Sequence, residues 1–348
     1  MQPASSRRLL LIALLPLAVA TLLPLIFRRS ESKPQVVVYC AHDSIFADAV
    51  LRKFEQQTGI RVTVRYDEEA SKSLGLTQLL LAEQNAPRCD VFWNNQTLGT
   101  IRLQQAGLLQ RCPPEWFARI PERYRDPDGH WCGFAGRFRV WIVNTSRMQA
   151  GEDEVNQAFA GSDLSRCSVA VPLFGTTLTH YTELAAELGL DKLQEWHRSL
   201  RDRGLREARG NGAVRDLVAA GACDFGLTDT DDVFAAIDAG APVQMLPYRL
   251  PSARTICIPN SVAMIRNGPH PQQAEQLLRY LVSEEVELQL AASASRQIPL
   301  GNVSEAEVPA EVRPLLGWVA DSTGPAAAAE FDGPVLEWLT GLYTGAGN

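Results

Sequence analysis

Strand and helix patterns alternate along most of this 348-residue chain. The segment QVVVYCAHDSIFADAVLRKFEQQTGIRVTV has an apolar run, then apolar residues at helical spacing, then Gly59 and a second alternating run, which is the pattern of a βαβ unit. Similar units recur around CDVFWNN, SVAVPLFGTTLTHYTELAAELG and CDFGLTDTDDVFAAIDAG. The alternation predicts an α/β fold whose mixed, mostly parallel sheets are flanked by helices.

The chain is expected to cross between two lobes. From Cys132, GFAGRFRVWIVNTSRM has the length and β-branched content of one or two crossing strands. TICIPNSVAMIRNG predicts a return strand pair, and PQQAEQLLRYLVSEEVELQLAASA predicts a helix. A ligand of such a fold is expected at the carboxyl ends of the strands, in a cleft between the lobes. The predicted divisions are 1–33 (signal or anchor and linker), 34–136 (first part of lobe 1), 137–250 (lobe 2 with the crossing strands), 251–300 (return to lobe 1) and 301–348 (helical tail).

The first segment predicts attachment to a membrane. Nineteen uncharged residues, Leu9 to Phe27, lie between two arginine pairs, which is enough for a membrane-spanning helix. Ala18-Val19-Ala20 has the small-x-small pattern of a cleavage site, but cleavage there would leave an apolar start, so an uncleaved anchor is favoured. The positive-inside bias places Arg7 and Arg8 in the cytoplasm and the rest of the chain outside.

The charge of the remaining chain argues against nucleic acid as a partner. Without residues 1–33 the chain has 28 basic and 39 acidic side chains, a net charge of −11. A GxSxG elbow, an HExxH motif and a P-loop are all missing from the sequence, and only five histidines are present. We therefore expect a binding protein rather than an enzyme.

The seven cysteines are widely spaced and include no CxxC pair, which disfavours a zinc or redox motif. An oxidising compartment favours pairing of some of them. The predicted pair is Cys112 with Cys132.

Acidic residues cluster where a buried strand, DFGLT, runs into a helix. Asp229 or Thr230 is expected to cap that helix, and Asp231 and Asp232 suit the positive end of its dipole. The alternative is a ligand site with Asp229 and Thr230 as ligand contacts and Asp231 and Asp232 as metal ligands, because carboxylates at a strand end suit a hard cation or an ammonium group. The sequence leaves both interpretations open.

The loop PLFGTTLTHY favours a negatively charged ligand, in contrast to the cation that the aspartates favour. Gly175, Thr176 and Thr177 lie between a strand and a helix, so free N–H groups and two hydroxyls are available to an anion, although an ordinary turn with a cap gives the same pattern. Asn211 is either a helix cap or a polar ligand contact. His180, one turn into the helix, is expected at the surface.

Arg137 and Arg139 alternate along GRFRVW, so both are predicted to face one side of the crossing strand. Two arginines on one face need an anion or carboxylates when buried. One is expected to pair with the aspartates, and the other to clamp an anionic group of a ligand or to form a structural ion pair. Asn94, Asn95 and Gln96 are hydrogen-bond donors at the end of another strand or simple turn formers.

Four blocks, in this order, resemble the extracellular solute-binding proteins of ABC transporters, in the ferric-iron-binding branch. The resemblance covers about residues 35–300. It implies a two-lobed type II periplasmic-binding-protein fold that closes on its ligand by hinge motion. The blocks are VVVYCAHDSIFADAVLRKFEQQTGIRV, CDVFWNNQTLGTIRLQQAGLL, WCGFAGRFRVWIVNT and AVRDLVAAGACDFGLTDTDD.

The resemblance also implies a ligand set. The histidine that the iron binders use falls on Asp43, with His42 immediately before it, and their glutamate falls on Asn95. Their adjacent tyrosines are matched by Asp231 and Asp232.

The implied cargo is iron(III) or another hard metal ion with a companion anion, and Asn211 matches a polar contact of the family. The implied partners are an ABC permease and its ATPase, in the periplasm. Alternative ligands are an aminophosphonate, a phosphorylated sugar or another small anion or zwitterion, and an alternative role is an anchored sensory module.

Overall fold

The structure is a computed structural model that describes residues 33–67 and 74–345. The predicted membrane anchor lies outside these residues. No helix within the described ranges has the length and apolar character needed to cross a membrane. From Gln35 onward the chain forms one compact unit.

Nine strands form the sheet of this unit. Their order is β2-β1-β3-β9-β4-β7-β5-β6, and β8 also pairs with β4. The strands are β1 (Gln35–Cys40), β2 (Arg61–Tyr66), β3 (Val91–Asn94), β4 (Cys132–Asn144), β5 (Cys167–Ala170), β6 (Arg206–Ala208), β7 (Phe225–Asp229), β8 (Val243–Pro247) and β9 (Cys257–Met264).

The sheet has two halves. In the first, which we call lobe 1, β1 is parallel to β2 and β3, and β9 is antiparallel to β3. In the second, lobe 2, β5 is parallel to β6 and β7. The central strands β3 and β7 are buried along their whole length, as expected where helices cover both faces of parallel strands.

Twelve α-helices surround the sheet in the described part of the chain. They are α1 (Ser44–Thr58), α2 (Leu74–Ala82), α3 (Leu98–Gln105), α4 (Glu152–Ala160), α5 (Gly175–Leu188), α6 (Leu190–Asp202), α7 (Asn211–Ala219), α8 (Thr230–Asp238), α9 (Pro271–Leu281), α10 (Glu284–Ala291), α11 (Leu316–Ala320) and α12 (Asp332–Thr344). The prediction of a mixed α/β fold is confirmed.

Strand β4 joins the two halves. Its first part, to Phe138, pairs with β9, and its second part, from Arg139, pairs with β7 and β8. A bulge interrupts the first part, where Ala135 has φ 41°. The buried Glu287 holds this bulge by accepting the N–H of Ala135 at 2.8 Å. All thirteen residues of β4 are buried, so the crossing is part of the core.

Two predictions about elements are wrong. TICIPNSVAMIRNG forms one strand, β9, because it pairs on both edges, with β3 and with β4, instead of folding back on itself. The single helix predicted for PQQAEQLLRYLVSEEVELQLAASA is two helices, α9 and α10. They are divided at Ser283, whose Oγ accepts the N–H of Val286 and so begins the second helix.

The predicted disulfide is also wrong. All seven cysteines lie within the described residues, and all are buried free thiols. The sulfur of Cys112 lies 3.8 Å from the sulfur of Met264, whereas that of Cys132 faces the carbonyl of Gly133. Both thiols pack as small apolar groups in one core, which spacing along the sequence does not reveal.

Candidate ligand-binding cleft

A cleft of about 560 Å³ lies between the two lobes. It opens at the carboxyl ends of β1, β3, β5 and β7, and the helices α5, α7 and α8 begin at its wall. Arg139 and Thr230, both predicted as ligand contacts, are fully buried behind that wall. The predicted residues that do line the cleft are His42, Asp43, Asn95, Arg137, Gly175, Thr176, Thr177, Asn211, Asp229, Asp231 and Asp232.

Three aspartates meet at the lobe 2 wall. Carboxylate oxygens of Asp229, Asp231 and Asp232 lie within 4.8 Å of one another, a spacing that suits a metal ion. Asp232 accepts a bond from the hydroxyl of Thr228 at 2.7 Å, and Asp231 accepts the N–H of Asp232 at 3.2 Å. Because a carboxylate has about four lone-pair positions, Asp231 and Asp232 keep acceptor capacity that faces the cleft.

Burial raises the pKa of both cleft-facing carboxyls well above the usual aspartate value. Neighbouring negative charges add to the effect: Asp232, Asp229 and Asp43 raise the pKa of Asp231, against the opposing charge of Arg137. Asp43 belongs to lobe 1, so the two walls of the cleft both present negative charge at this point. A cation placed here relieves that repulsion.

Asp229 has a different environment from its two neighbours. Its Oδ1 accepts from Arg139 at 2.7 Å, and its Oδ2 accepts from Thr176 at 2.6 Å and from Asn211 at 2.9 Å. Asp229 precedes α8, but its side chain makes no capping bond to the helix. The hydroxyl of Thr230 makes no such bond either, and instead accepts the N–H of Phe138 at 3.4 Å. The capping interpretation is therefore wrong for both residues.

The two arginines face the same side of β4, because both reach Asp229. Arg139 is 0% exposed and pairs with Asp229 directly. Arg137 lines the cleft and contacts both lobes: it donates to the carbonyl of Asn95 at 2.8 Å, and its Nε lies 3.5 Å from Asp229. Arg137 is thus a positive charge that lines the cleft beside the acidic cluster.

Two helices begin at the cleft without a side-chain cap. These are α5, which starts at Gly175 with φ 62°, and α7, which follows Gly210. The hydroxyls of Thr176 and Thr177 already donate their hydrogens, to Asp229 and to Asn211. An anion here would therefore meet backbone N–H groups rather than these hydroxyls.

The lobe 1 wall is smaller. The ring of His42 stacks on Trp93 at 5.4 Å, and its Nε2 lies 3.4 Å from the side-chain nitrogen of Gln297. Asp43 immediately precedes α1 and makes no capping bond to it. This wall brings an imidazole, a carboxylate and Asn95 to face the aspartates of lobe 2.

Sequence reasoning missed part of the site. Arg209 and Arg215, just before and within α7, also line the cleft. Arg215 lies 3.5 Å from Asp232, whereas Arg209 is exposed and makes no ion pair or hydrogen bond with any described residue. The sequence does contain a signal, because both arginines flank GNGAV, the segment in which Asn211 is a candidate helix cap.

His180 is not at the surface. It is 1% exposed, its ring lies 4.3 Å from that of Tyr248, and its Nδ1 accepts from Nε of Arg139 at 3.4 Å. Burial, together with the charge of Arg139, lowers its pKa well below the usual histidine value, so the ring is neutral. Nε2 of His180 and Nη2 of Arg139 have no hydrogen-bond partner among the described residues.

An α/β sheet divided into two halves, with a polar cleft between them, defines a two-lobed solute-binding protein. The family model described as bacterial extracellular solute-binding protein matches residues 36–291, and the chain belongs to this family. Proteins of this family bind a solute in such a cleft rather than transform it.

Similar proteins agree with this assignment. Iron uptake protein A1 of Synechocystis is 23% identical over 254 residues, which are 69% of this chain and 68% of that protein. Among solved structures, iron-bound HitA of Pseudomonas aeruginosa is 19% identical, with a TM-score of 0.72 over 88% of this chain and 99% of its own. The periplasmic binding protein AfuA of Actinobacillus pleuropneumoniae, with fructose-6-phosphate bound, is 16% identical, with a TM-score of 0.71 over 89% and 98%. These structures share the two-lobed fold.

Proposed function

We propose that this protein is a non-catalytic receptor for ferric iron, or for a hard cation like it, and delivers its cargo to an ABC importer. The observation that supports this most is the pair Asp231 and Asp232, whose carboxylates face the cleft with raised pKa values and free acceptor capacity. Asp43 opposes them from the other lobe. Hard cations prefer oxygen ligands, and a trivalent ion offsets the repulsion among these carboxylates.

A companion anion completes the proposed site. The uncapped starts of α5 and α7 direct N–H groups at the cleft, and Arg209 adds a positive charge without an ion-pair partner in the described chain. An anion bound there occupies coordination positions of the metal that the aspartates leave open. The relative named for iron uptake and the iron-bound structure of the same fold support the same proposal.

The proposal is tested by titrating the detergent-solubilised full chain with ferric nitrilotriacetate and measuring bound iron after gel filtration. We expect one iron per chain, and an affinity lower by about 1–3 kcal/mol or more when Asp231→Ala and Asp232→Ala are combined. No tyrosine among the described residues lines the cleft, so the iron complex is expected to lack a phenolate-to-iron absorption band. Wild-type protein that retains no iron would contradict the proposal.

A second candidate cargo is a phosphorylated or phosphonate-bearing compound, such as a phosphorylated sugar or an aminophosphonate. It is favoured by the two uncapped helix starts beside Arg209, and by the AfuA structure, which holds fructose-6-phosphate in the same fold. Arg209→Gln separates the two candidates. It would abolish most of the affinity for a phosphate ester, whereas iron in the presence of a chelating anion would still bind to the aspartates.

We also infer that the protein is tethered on the periplasmic side of the inner membrane through residues 1–33, with an ABC permease and its ATPase as partners. The apolar run Leu9 to Phe27 supports the tether. A carbonate wash of membranes tests it: the full chain should stay in the pellet and a chain starting at residue 34 should be released. Release of both would leave a cleaved signal as the better interpretation, and a partner kinase in place of a permease would favour sensing.

A further inference from the structure

We propose that Asp229 is a positioning residue, which holds the starts of α5 and α7 at the cleft through Arg139, Thr176 and Asn211, and is not a ligand of the cargo. The inference rests on the proposed function only in taking the cleft between the lobes as the binding site. It separates one member of the acidic cluster from the two that face the cargo.

The bonds that its oxygens already accept are the first argument. Asp229 is 3% exposed and accepts three short hydrogen bonds, from Arg139 on Oδ1 and from Thr176 and Asn211 on Oδ2. Nε of Arg137 stands at ion-pair distance, 3.5 Å from Oδ2. Of about four lone-pair positions, only one, on Oδ1, is left without a donor, and two guanidinium groups beside the carboxylate already balance its charge.

The second argument is what those donors belong to. Thr176 lies in the first turn of α5, Asn211 is the first residue of α7, and Arg139 is opposite Asp229 in the pairing of β4 with β7. One carboxylate therefore connects two strands and two helix starts. Asn211 strengthens the link, because its Nδ2 also donates to Thr176 at 2.7 Å and its Oδ1 accepts from Arg139 at 3.1 Å.

The position of Arg139 on β4 gives the network its significance for binding. Arg139 is the first residue of β4 that pairs with β7, directly after the part that pairs with β9. The helix starts are thus fixed to the strand at the point where it passes from one lobe to the other. Their N–H groups depend on this anchor for their direction, since neither helix has a side-chain cap.

Hydrogen–deuterium exchange of the ligand-free full chain tests the inference without any cargo. In Asp229→Asn, one acceptor oxygen becomes a donor facing Arg139 or Asn211. We expect exchange about tenfold faster or more in peptides covering the first turns of α5 and α7, with α6 unchanged as an internal reference. Asp231→Asn is the matched control, because Asp231 bonds only within α8 and its loss of charge should leave both helix starts protected.

Unchanged exchange at both helix starts in Asp229→Asn would overturn the inference, and so would a uniform acceleration across lobe 2, which indicates general destabilisation. If this variant does not fold, Thr176→Val removes the hydroxyl that donates to Asp229 and accepts from Asn211, and it keeps the bonds of Asp229 to Arg139 and Asn211. It should speed exchange at the start of α5 more than at the start of α7, where Asn211 still donates to Asp229. No change at α5 would then overturn the inference.

Iron X-ray absorption, with ferric nitrilotriacetate as the probe, provides a second arm. Asp229→Asn should lower iron affinity by about tenfold and keep the same number of oxygen neighbours around iron. Loss of one oxygen neighbour in Asp229→Asn would contradict the positioning role. Wild-type protein that binds no iron would refute the proposed cargo, while the exchange experiment would still decide the role of Asp229.

Discussion

At the scale of single residues, side chains of the same type have different surroundings in the cleft, and these surroundings determine what each one contacts. Asp229, Asp231 and Asp232 are neighbours in sequence and in space, yet the first is enclosed by donors and the other two face the cavity. Arg137 and Arg139 divide in the same way, since only Arg137 lines the cleft. Each set thus contains a residue that is enclosed within the wall and one or more residues that face the cavity.

Arg137 gives a prediction whose sign depends on the cargo. Its guanidinium lies beside the acidic cluster and repels a bound cation, so Arg137→Gln should raise the affinity for ferric iron by on the order of 1 kcal/mol. For a phosphate ester the same change should lower affinity. Calorimetric titration of wild type and Arg137→Gln with each cargo, at the same pH, measures both effects.

Asp231 gives a prediction about stability and pH. Its pKa is raised in the folded protein, so its favourable contribution is present at low pH and is lost as pH rises through that raised pKa. Asp231→Asn keeps a neutral side chain at every pH. The ligand-free variant should therefore be more stable than wild type by on the order of 1 kcal/mol at about pH 8, and equal to it below about pH 4.

Urea unfolding at the two pH values measures this difference. Glu305→Gln, at an exposed position, is the control for removing a carboxylate as such. A variant less stable than wild type at high pH would contradict this prediction. It would show that other groups of the protein already compensate the negative charge of Asp231, so that no cation is needed to do so.

The sequence predicts which residues line the cleft better than it predicts the hydrogen bonds that these residues form. Eleven of the candidate residues line it, because strand ends and helix starts can be read from periodicity and glycine placement. The roles depend on hydrogen bonds between segments far apart in sequence, such as Arg139 with Asp229. Periodicity contains no information on these, and the burial of His180 was missed for the same reason.

At the scale of elements, the starts of α5 and α7 form part of the cleft wall. Each helix begins at the cleft after a strand and a short turn, and each lacks a side-chain cap. The two starts differ in backbone conformation: Gly175 has φ 62°, in the left-handed region, whereas Gly210 has φ 179°, which is extended.

This difference gives a matched pair of substitutions. A Cβ added at Gly175 or at Gly210 meets no atom within 4 Å, so space is available at both positions. Gly175→Ala should cost about 1–2 kcal/mol, because only there must an L residue adopt the left-handed region, and Gly210→Ala should cost little. Thermal unfolding compares the stabilities, and anion-dependent iron retention shows whether the start of α5 has moved. Equal costs at the two positions would refute the role assigned to backbone conformation.

Most elements could be predicted, and the errors have physical causes. The division between α9 and α10 depends on one serine cap within an otherwise helical pattern. The length of TICIPNSVAMIRNG also fits a strand pair, but β9 pairs with β3 on one edge and with β4 on the other, so it forms a single strand. In the first place the sequence fits either one helix or two, and in the second either one strand or two. Contacts with other parts of the chain decide between them.

At the scale of the whole molecule, the fold places two walls of different chemistry around one cleft. Lobe 2 offers two carboxylates and two helix starts, and lobe 1 offers His42, Asp43 and Asn95. Arg137 contacts both walls through Asn95 and Asp229. A cargo that combines a hard cation with an anion satisfies both kinds of group, which is the central claim of the proposed function.

Native mass spectrometry tests that claim most directly. The protein would be purified gently from its own host without chelators, and the mass of whatever stays bound would be measured. We predict the mass of one ferric ion together with a small anion, lost when Asp231→Ala and Asp232→Ala are combined. An organic mass containing phosphorus, with no metal, would contradict the claim and identify the cleft as a receptor for a phosphorylated or phosphonate metabolite.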